Sequence, residues 1–145
     1  MFKSILIPTD GTEFCQRAIT KGVELAKLTG AKIVGVTVMQ PLHTGTPEAL
    51  IPAQIASIIK NETAKSAAEK LAAVAAAAKA AGVAVETVQE SGDHPWEAIL
   101  RAAKKHAADV IVMASHGRRG VSAMVLGSET QKVLTHSTIP VLVVR

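Results

Sequence analysis

Short apolar runs alternate along this chain with longer stretches whose apolar residues recur every three or four positions. Ser4–Ile7 is a compact apolar run closed by Pro8 and reads as a strand. Thr9-Asp10-Gly11-Thr12 follows as a turn. Phe14, Ala18, Leu25 and Leu28, joined by Cys15, Ile19, Gly22 and Ala26, then form one stripe at helical spacing, and Gly30 supplies a C-terminal stop. Lys32–Met39 is a valine-rich second strand, ended by Pro41. Residues 40–47 hold two prolines and a glycine and read as a loop. From about Ala53 to Ala81 the sequence is strongly helical, with Ile55, Ile58, Ile59, Leu71 and Val74 marking a packed face and Gly82 ending it.

Val83–Gln89 alternates valine with small or polar residues, a third strand with one exposed side. In the next turn Asp93 or His94 is the cap of a helix with Pro95 in its first turn, and Trp96, Ile99, Leu100, Ala103 and Ala107 form its buried stripe. Asp109–Ala114 is the fourth strand, and its continuous apolar run suits a strand covered on both faces. After a loop from Ser115 to about Gly127, Ser128 is the expected cap of a last helix, with Gln131 at capping-box spacing. Pro140 opens a fifth strand, Val141–Val144.

This alternation predicts a single-domain α/β fold over residues 1–145, an open five-stranded parallel sheet with helices on both faces. Crossovers should be right-handed. The first and fourth strands are the most apolar along their length, which places them centrally and predicts the order 3-2-1-4-5. Ligands of such sheets bind past the carboxyl ends of the strands, where the order reverses. Here that point lies between Pro8-Thr9-Asp10 and Ala114-Ser115-His116-Gly117.

Composition narrows the classes. With 145 residues, 48% hydrophobic and 19% charged, the chain is not an intrinsically disordered one. Its aromatic residues are Phe2, Phe14 and Trp96, so the core rests on Ala, Val, Ile and Leu, and base-stacking platforms for single-stranded nucleic acid are missing. A net charge of +4 suits an anionic ligand but is too small to imply a polynucleotide, and no run of five basic residues occurs. Cys15 is the sole cysteine, which excludes an intrachain disulfide. The apolar run before Pro8 is too short for a signal-peptide core, and Leu71–Ala78 is too short to span a bilayer. The expectation is a soluble, cytoplasmic protein without nucleic-acid or membrane partners.

The loop after the fourth strand carries the chemistry. Glycines such as Gly117 and Gly120 let backbone amides approach an anion without a Cβ clash, and Gly127-Ser128 opens a helix whose first amides are unpaired. Ser115 and Ser128 hydroxyls can add bonds, and Arg118 and Arg119 add positive charge. Gly117 and Gly120 are equally served by plain turns, and Ser128 by capping its helix. Glu129 would repel phosphate unless its side chain turns outward. Asp10 divides evenly between accepting from a ligand and capping the first helix. Val38, near a strand end, is either plain core or an apolar wall for a ligand. Neither G-x-G-x-x-G after the first strand nor G-x-x-x-x-G-K-[ST] occurs, which argues against dinucleotide and Walker-type sites. His43, His94, His106, His116 and His136 show no metal-ligand spacing, and His116 alone falls in the predicted crevice. No residue set resembles a nucleophile with its base and orienting acid, so efficient catalysis is not expected.

Ile5-Leu6-Ile7-Pro8-Thr9-Asp10-Gly11, Asp109–Gly117, Leu126-Gly127-Ser128 and Ile139–Val144 together resemble the universal stress proteins of the nucleotide-binding kind, over essentially the whole chain. The resemblance implies a Rossmann-like fold of the adenine nucleotide alpha hydrolase type. That family's ATP-binding pattern is G-x2-G-x9-G-[ST]. Here Gly117 and Gly127-Ser128 match it at the intact nine-residue spacing, while Ala114 replaces the first glycine. The resemblance further implies that Pro8, Thr9 and Asp10 border the adenosine, that Val38 lies against the adenine, and that Ala114, Ser115, His116, Gly117, Arg118, Gly127 and Ser128 surround the rest. The implied ligand is ATP or another adenine nucleotide, with Mg as its accompanying ion. The terminal strand is an uncharged sheet edge, and both that edge and the resemblance point to a homodimer through residues 140–145. The rival expectation is a nucleotide-independent dimeric interaction module with a vestigial pocket.

Overall fold

The computed structural model describes residues 1–42, 45–116 and 125–145. Five parallel strands, β1 (Ser4–Pro8), β2 (Lys32–Met39), β3 (Val85–Ser91), β4 (Val110–Ala114) and β5 (Val141–Val144), form one sheet in the order β3-β2-β1-β4-β5. Among the described residues, four α-helices connect them: α1 (Glu13–Thr29), α2 (Ala53–Ala80), α3 (Pro95–Lys105) and α4 (Ser128–His136). The predicted order is the observed one. β1 and β4 are buried at every residue, as central strands sandwiched between two helical layers should be.

The period-two pleat sorts the core into two layers. Ile5, Ile7, Ile33, Val110 and Val112 point toward α1 and α2, packing on Ile19, Val23, Val74 and Ala78. Leu6, Val34, Val36, Ile111 and Met113 point the other way, onto Ile99, Ala102 and Ala103 of α3 and Val133 of α4. Asp109, just before β4, accepts N–H bonds from Lys3 (2.5 Å) and Ser4 (2.9 Å) and so ties the starts of β4 and β1 together. Those backbone donors hold its carboxyl below the usual carboxylate range. A carboxyl lowered in the folded state contributes stability above its unfolded pKa, and that contribution is lost as pH falls through the folded one. Asp109→Asn is therefore expected to flatten the acid limb of stability below about pH 4. An acid limb of unchanged slope in denaturant titrations at several pH values would contradict this.

Several boundaries and faces differ from expectation for physical reasons. β3 begins at Val85, not Val83, because Val83 N–H bonds Ala78 O (2.9 Å) as part of the helix exit at Gly82 (φ 70°). The strand then runs on to Ser91 to pair with β2 from Ile33 to Met39. The buried stripe of α1 is Cys15, Ala18, Ile19, Gly22, Val23 and Ala26; Phe14 and Leu28 are exposed, both on one flank of it. On α2 only Ala67, Leu71, Val74 and Ala78 are buried, while Ile55 and Ile58 are exposed. With 28 residues the helix is about 42 Å long, and the eight residues of β2 span only about 26 Å, so its first half overhangs the sheet. α3 stops at Lys105; Ala107 adopts φ 49° and is exposed rather than buried.

Candidate functional site

A cleft of about 500 Å³ opens at the carboxyl ends of β1, β2 and β4, at the reversal of strand order. Pro8, Thr9 and Asp10 line it from β1, Val36, Thr37 and Val38 from β2, and Met113 and Ala114 from β4. Ile99 and Pro95 of α3 and residues 125–130 close the other side. Of the residues predicted from sequence, Pro8, Thr9, Asp10, Val38, Ala114, His116, Gly127 and Ser128 all face this cleft. Ser115 is buried beside it and its hydroxyl lies 2.9 Å from His116 Nδ1. Gly117 and Arg118 lie outside the described residues, as do Arg119 and Gly120.

The turn after β1 is built by its own side chains. Thr9 N–H bonds Val36 O (2.8 Å), extending the β1–β2 ladder past the strand end, and Thr9 Oγ1 accepts from Gly11 N–H (3.2 Å). Asp10 Oδ1 accepts from Thr12 N–H (2.9 Å) and from the Cys15 thiol (3.1 Å). Asp10 thus stabilises the start of α1 while also lining the cleft. Of the two roles that the sequence held in balance, these bonds realise the one at the start of the first helix. Burial, reinforced by the charge of Asp10, pushes the Cys15 thiol above its ordinary pKa, so it stays a neutral donor to that carboxylate.

The start of α4 is fastened onto the end of β4. Gly127 N–H bonds Ser115 O (2.7 Å), and Thr130 Oγ1, on a buried side chain, donates to Ala114 O (2.9 Å). Gln131 N–H closes the first helical bond to Gly127 O (3.0 Å), so Gly127 is the cap residue and Ser128 is the first helical one. The expected Ser128 capping box does not form: these tertiary bonds place the helix start, and Ser128 is exposed. The amides of Ser128, Glu129 and Thr130 have no carbonyl within the helix to bond, which leaves a positive helix end at the rim of the cleft.

Ala114, where the family pattern has glycine, is 5% exposed, and it packs with Cys15 and Ala18 of α1. Its methyl is part of the α1-side core as well as the cleft wall. Ala114→Gly is accordingly expected to cost about 1 kcal/mol of stability, from a lost buried methyl and a freer backbone. It should leave ligand affinity within about threefold, a free-energy change of under 1 kcal/mol. Denaturant melts with ligand titrations check both, and a large gain in affinity would contradict the assignment.

Among the lining residues, Lys70 was not anticipated from sequence, and Glu129 was anticipated only as a charge that would repel phosphate. Lys70 reaches the cleft from α2, its stem crossing Gly11 so closely that a Cβ there would lie 2.8 Å from Lys70 Cγ. Gly11 is at φ 81°, so its glycine is required twice over. Glu129 lines the cleft too, with Oε2 accepting the Trp96 N–H of α3 at 2.9 Å and Oε1 3.6 Å from Lys132 Nζ. Neither has a local signal, because both placements depend on how distant helices meet. Other expectations resolve simply. His94 occupies the cap position of α3 without a side-chain cap bond, and Glu129 supplies the acceptor there instead. Trp96 is half-buried and stacks on His136 with ring centroids 4.4 Å apart. Phe14 stands at the rim, its ring 5.8 Å from that of His116. Among the described residues, no group of three His, Cys, Asp or Glu side chains is placed to hold a metal ion, and no helix is long and apolar enough to cross a membrane.

Comparison with known proteins agrees with this architecture. The universal stress protein family model matches residues 1–145. The chain is 33% identical over 149 residues to universal stress protein YxiE of Bacillus subtilis (strain 168), covering all of both chains. The solved structure of MJ0577, a universal stress protein of Methanocaldococcus jannaschii, superposes with a TM-score of 0.83 at 26% identity, covering 99% of this chain and 96% of that one. A universal stress protein solved in complex with cAMP superposes with a TM-score of 0.73 at 25% identity, covering 99% and 97%. The match along the entire sequence, together with the structural superposition over nearly the whole chain, means that this chain belongs to the universal stress protein family.

Proposed function

We propose that this protein binds an adenine nucleotide, ATP or a relative of it, in the crevice between β1 and β4. The observation that carries the reading is the cleft of about 500 Å³ with two unlike walls. Val38, Ile99 and Met113 offer an apolar surface for a base, while the first-turn amides of α4 offer unpaired donors to a phosphate. The relative solved with cAMP supports the same ligand class. The residues assigned to the ligand are Pro8, Thr9, Asp10, Val38, Ala114, Ser115, His116, Gly117, Arg118, Gly127 and Ser128. Mg would arrive with a polyphosphate tail. The protein is further assigned to the cytoplasm and to stress response, acting as a homodimer paired along residues 140–145. That pairing is supported by the edge position of β5 and the exposure of Leu142.

Isothermal titration of the purified protein with ATP and with AMP tests the reading. Saturable one-site heat is expected, and none at millimolar nucleotide would overturn it. One observation favours a second reading, an interaction module with a vestigial pocket: Glu129 puts a negative charge on the cleft wall, close to where a phosphate would bind.

A further inference from the structure

We infer that Glu129 is a specificity-determining residue that selects nucleotides with short, weakly charged tails, such as a cyclic or simple monophosphate, over ATP; this rests on the nucleotide reading above. Glu129 is the second residue of α4, in the same turn whose amides face the cleft rim. Its side chain, 37% exposed, is tied across to α3 and does not extend freely into solvent. Oε2 is held by the Trp96 N–H, 33 positions earlier in the chain, and Oε1 lies 3.6 Å from Lys132 Nζ. Swinging away from an incoming anion would strip the first turn of α3 of its acceptor, so the charge is fixed in place.

The ionisable side chains lining the cleft among the described residues are Asp10, Cys15, Lys70, His116 and Glu129; with the thiol neutral, two carboxylates stand against one lysine. Each phosphate added to a nucleotide tail brings further negative charge toward the same helix end. A monophosphate can take the α4 amides with one encounter of this kind, whereas a triphosphate adds charge along the wall that Glu129 occupies. The sequence alone shows an acidic residue next to a helix start; the structure shows that it is tied inward, across to α3.

Glu129→Gln separates charge from scaffolding, because the amide oxygen can still accept the Trp96 N–H. Titrations with cAMP, AMP and ATP, in EDTA at low salt, compare the wild type with this variant. The wild type is expected to bind cAMP or AMP more tightly than ATP. E129Q should improve ATP affinity relative to cAMP by about tenfold, the scale of one charge interaction in a partly solvated site. High salt should shrink that gain. Glu129→Ala should shift the same ratio while also lowering the melting temperature, since it removes the Trp96 acceptor. A ratio unchanged within about twofold, in proteins that both bind nucleotide, overturns the role of Glu129 alone. Failure of every nucleotide to bind either protein overturns the nucleotide reading, and this inference with it.

Discussion

Valine at position 35 is expected to destabilise the protein by about 3 kcal/mol, at the upper end of what overpacking a close-packed core costs. Gly35 lies in the middle of β2, paired with Ile7 on one side and Thr87 on the other. A Cβ there would lie 2.9 Å from Val74 Cγ1 and 3.2 Å from Val74 Cβ. Val74 is fully buried and is branched at the atom in question, so it has no flexible end to move aside. Relief requires α2 to lift off the sheet. Val74 lies one turn beyond Lys70, so the same displacement would draw Lys70 from the cleft. Denaturant unfolding measures the loss directly. The double variant Gly35→Val with Val74→Ala should recover part of it, because the added bulk enters the space that is vacated. Strictly additive destabilisation would show that this contact is not what keeps residue 35 small.

The second large effect is on binding. Val38→Trp is expected to weaken adenine nucleotide affinity on the order of 100-fold, about 2.7 kcal/mol, while leaving the fold intact. Val38 is half-buried at the carboxyl end of β2, where the ladder to β3 still holds the backbone through Val38↔Glu90. Its side chain packs against the α3–α4 layer and lines the cleft. An indole there takes the volume assigned to the base without entering the fully buried layers. Melting temperature and nucleotide titration are read together. A variant that folds normally and binds as well as the wild type would move the base-binding wall elsewhere.

The parts of this fold that were legible in the sequence are those set by short-range pattern. The uninterrupted apolar runs of β1 and β4 gave away their central position, and with it the strand order and the location of the crevice. Pro8, Thr9, Asp10 and Ala114 follow from that, since each sits at or just past the end of β1 or β4, whereas Val38 came from the family resemblance. What escaped depends on contacts between distant segments. The overhang of α2 is invisible in its composition, because Ile55 and Ile58 keep helical spacing with no sheet beneath them. The start of α4 follows its bonds to Ser115 and Ala114, not the capping preference of Ser128. The stripe of α1 was misjudged at both ends and missed Val23, since Phe14 and Leu28 are large and apolar yet lie exposed. Glu129 was recognised as a difficulty, but only the meeting of α3 and α4 shows its carboxylate capping Trp96.

The most direct test of the account is an amide-resolved magnetic resonance titration of the ¹⁵N-labelled protein with AMP. The largest shifts are predicted at Thr9, Asp10, Val38 and Ala114 and through Ser128–Thr130, which converge from four separate elements on one cleft. Shifts centred on the exposed half of α2 or on β5, with these amides unmoved at saturating nucleotide, would contradict it.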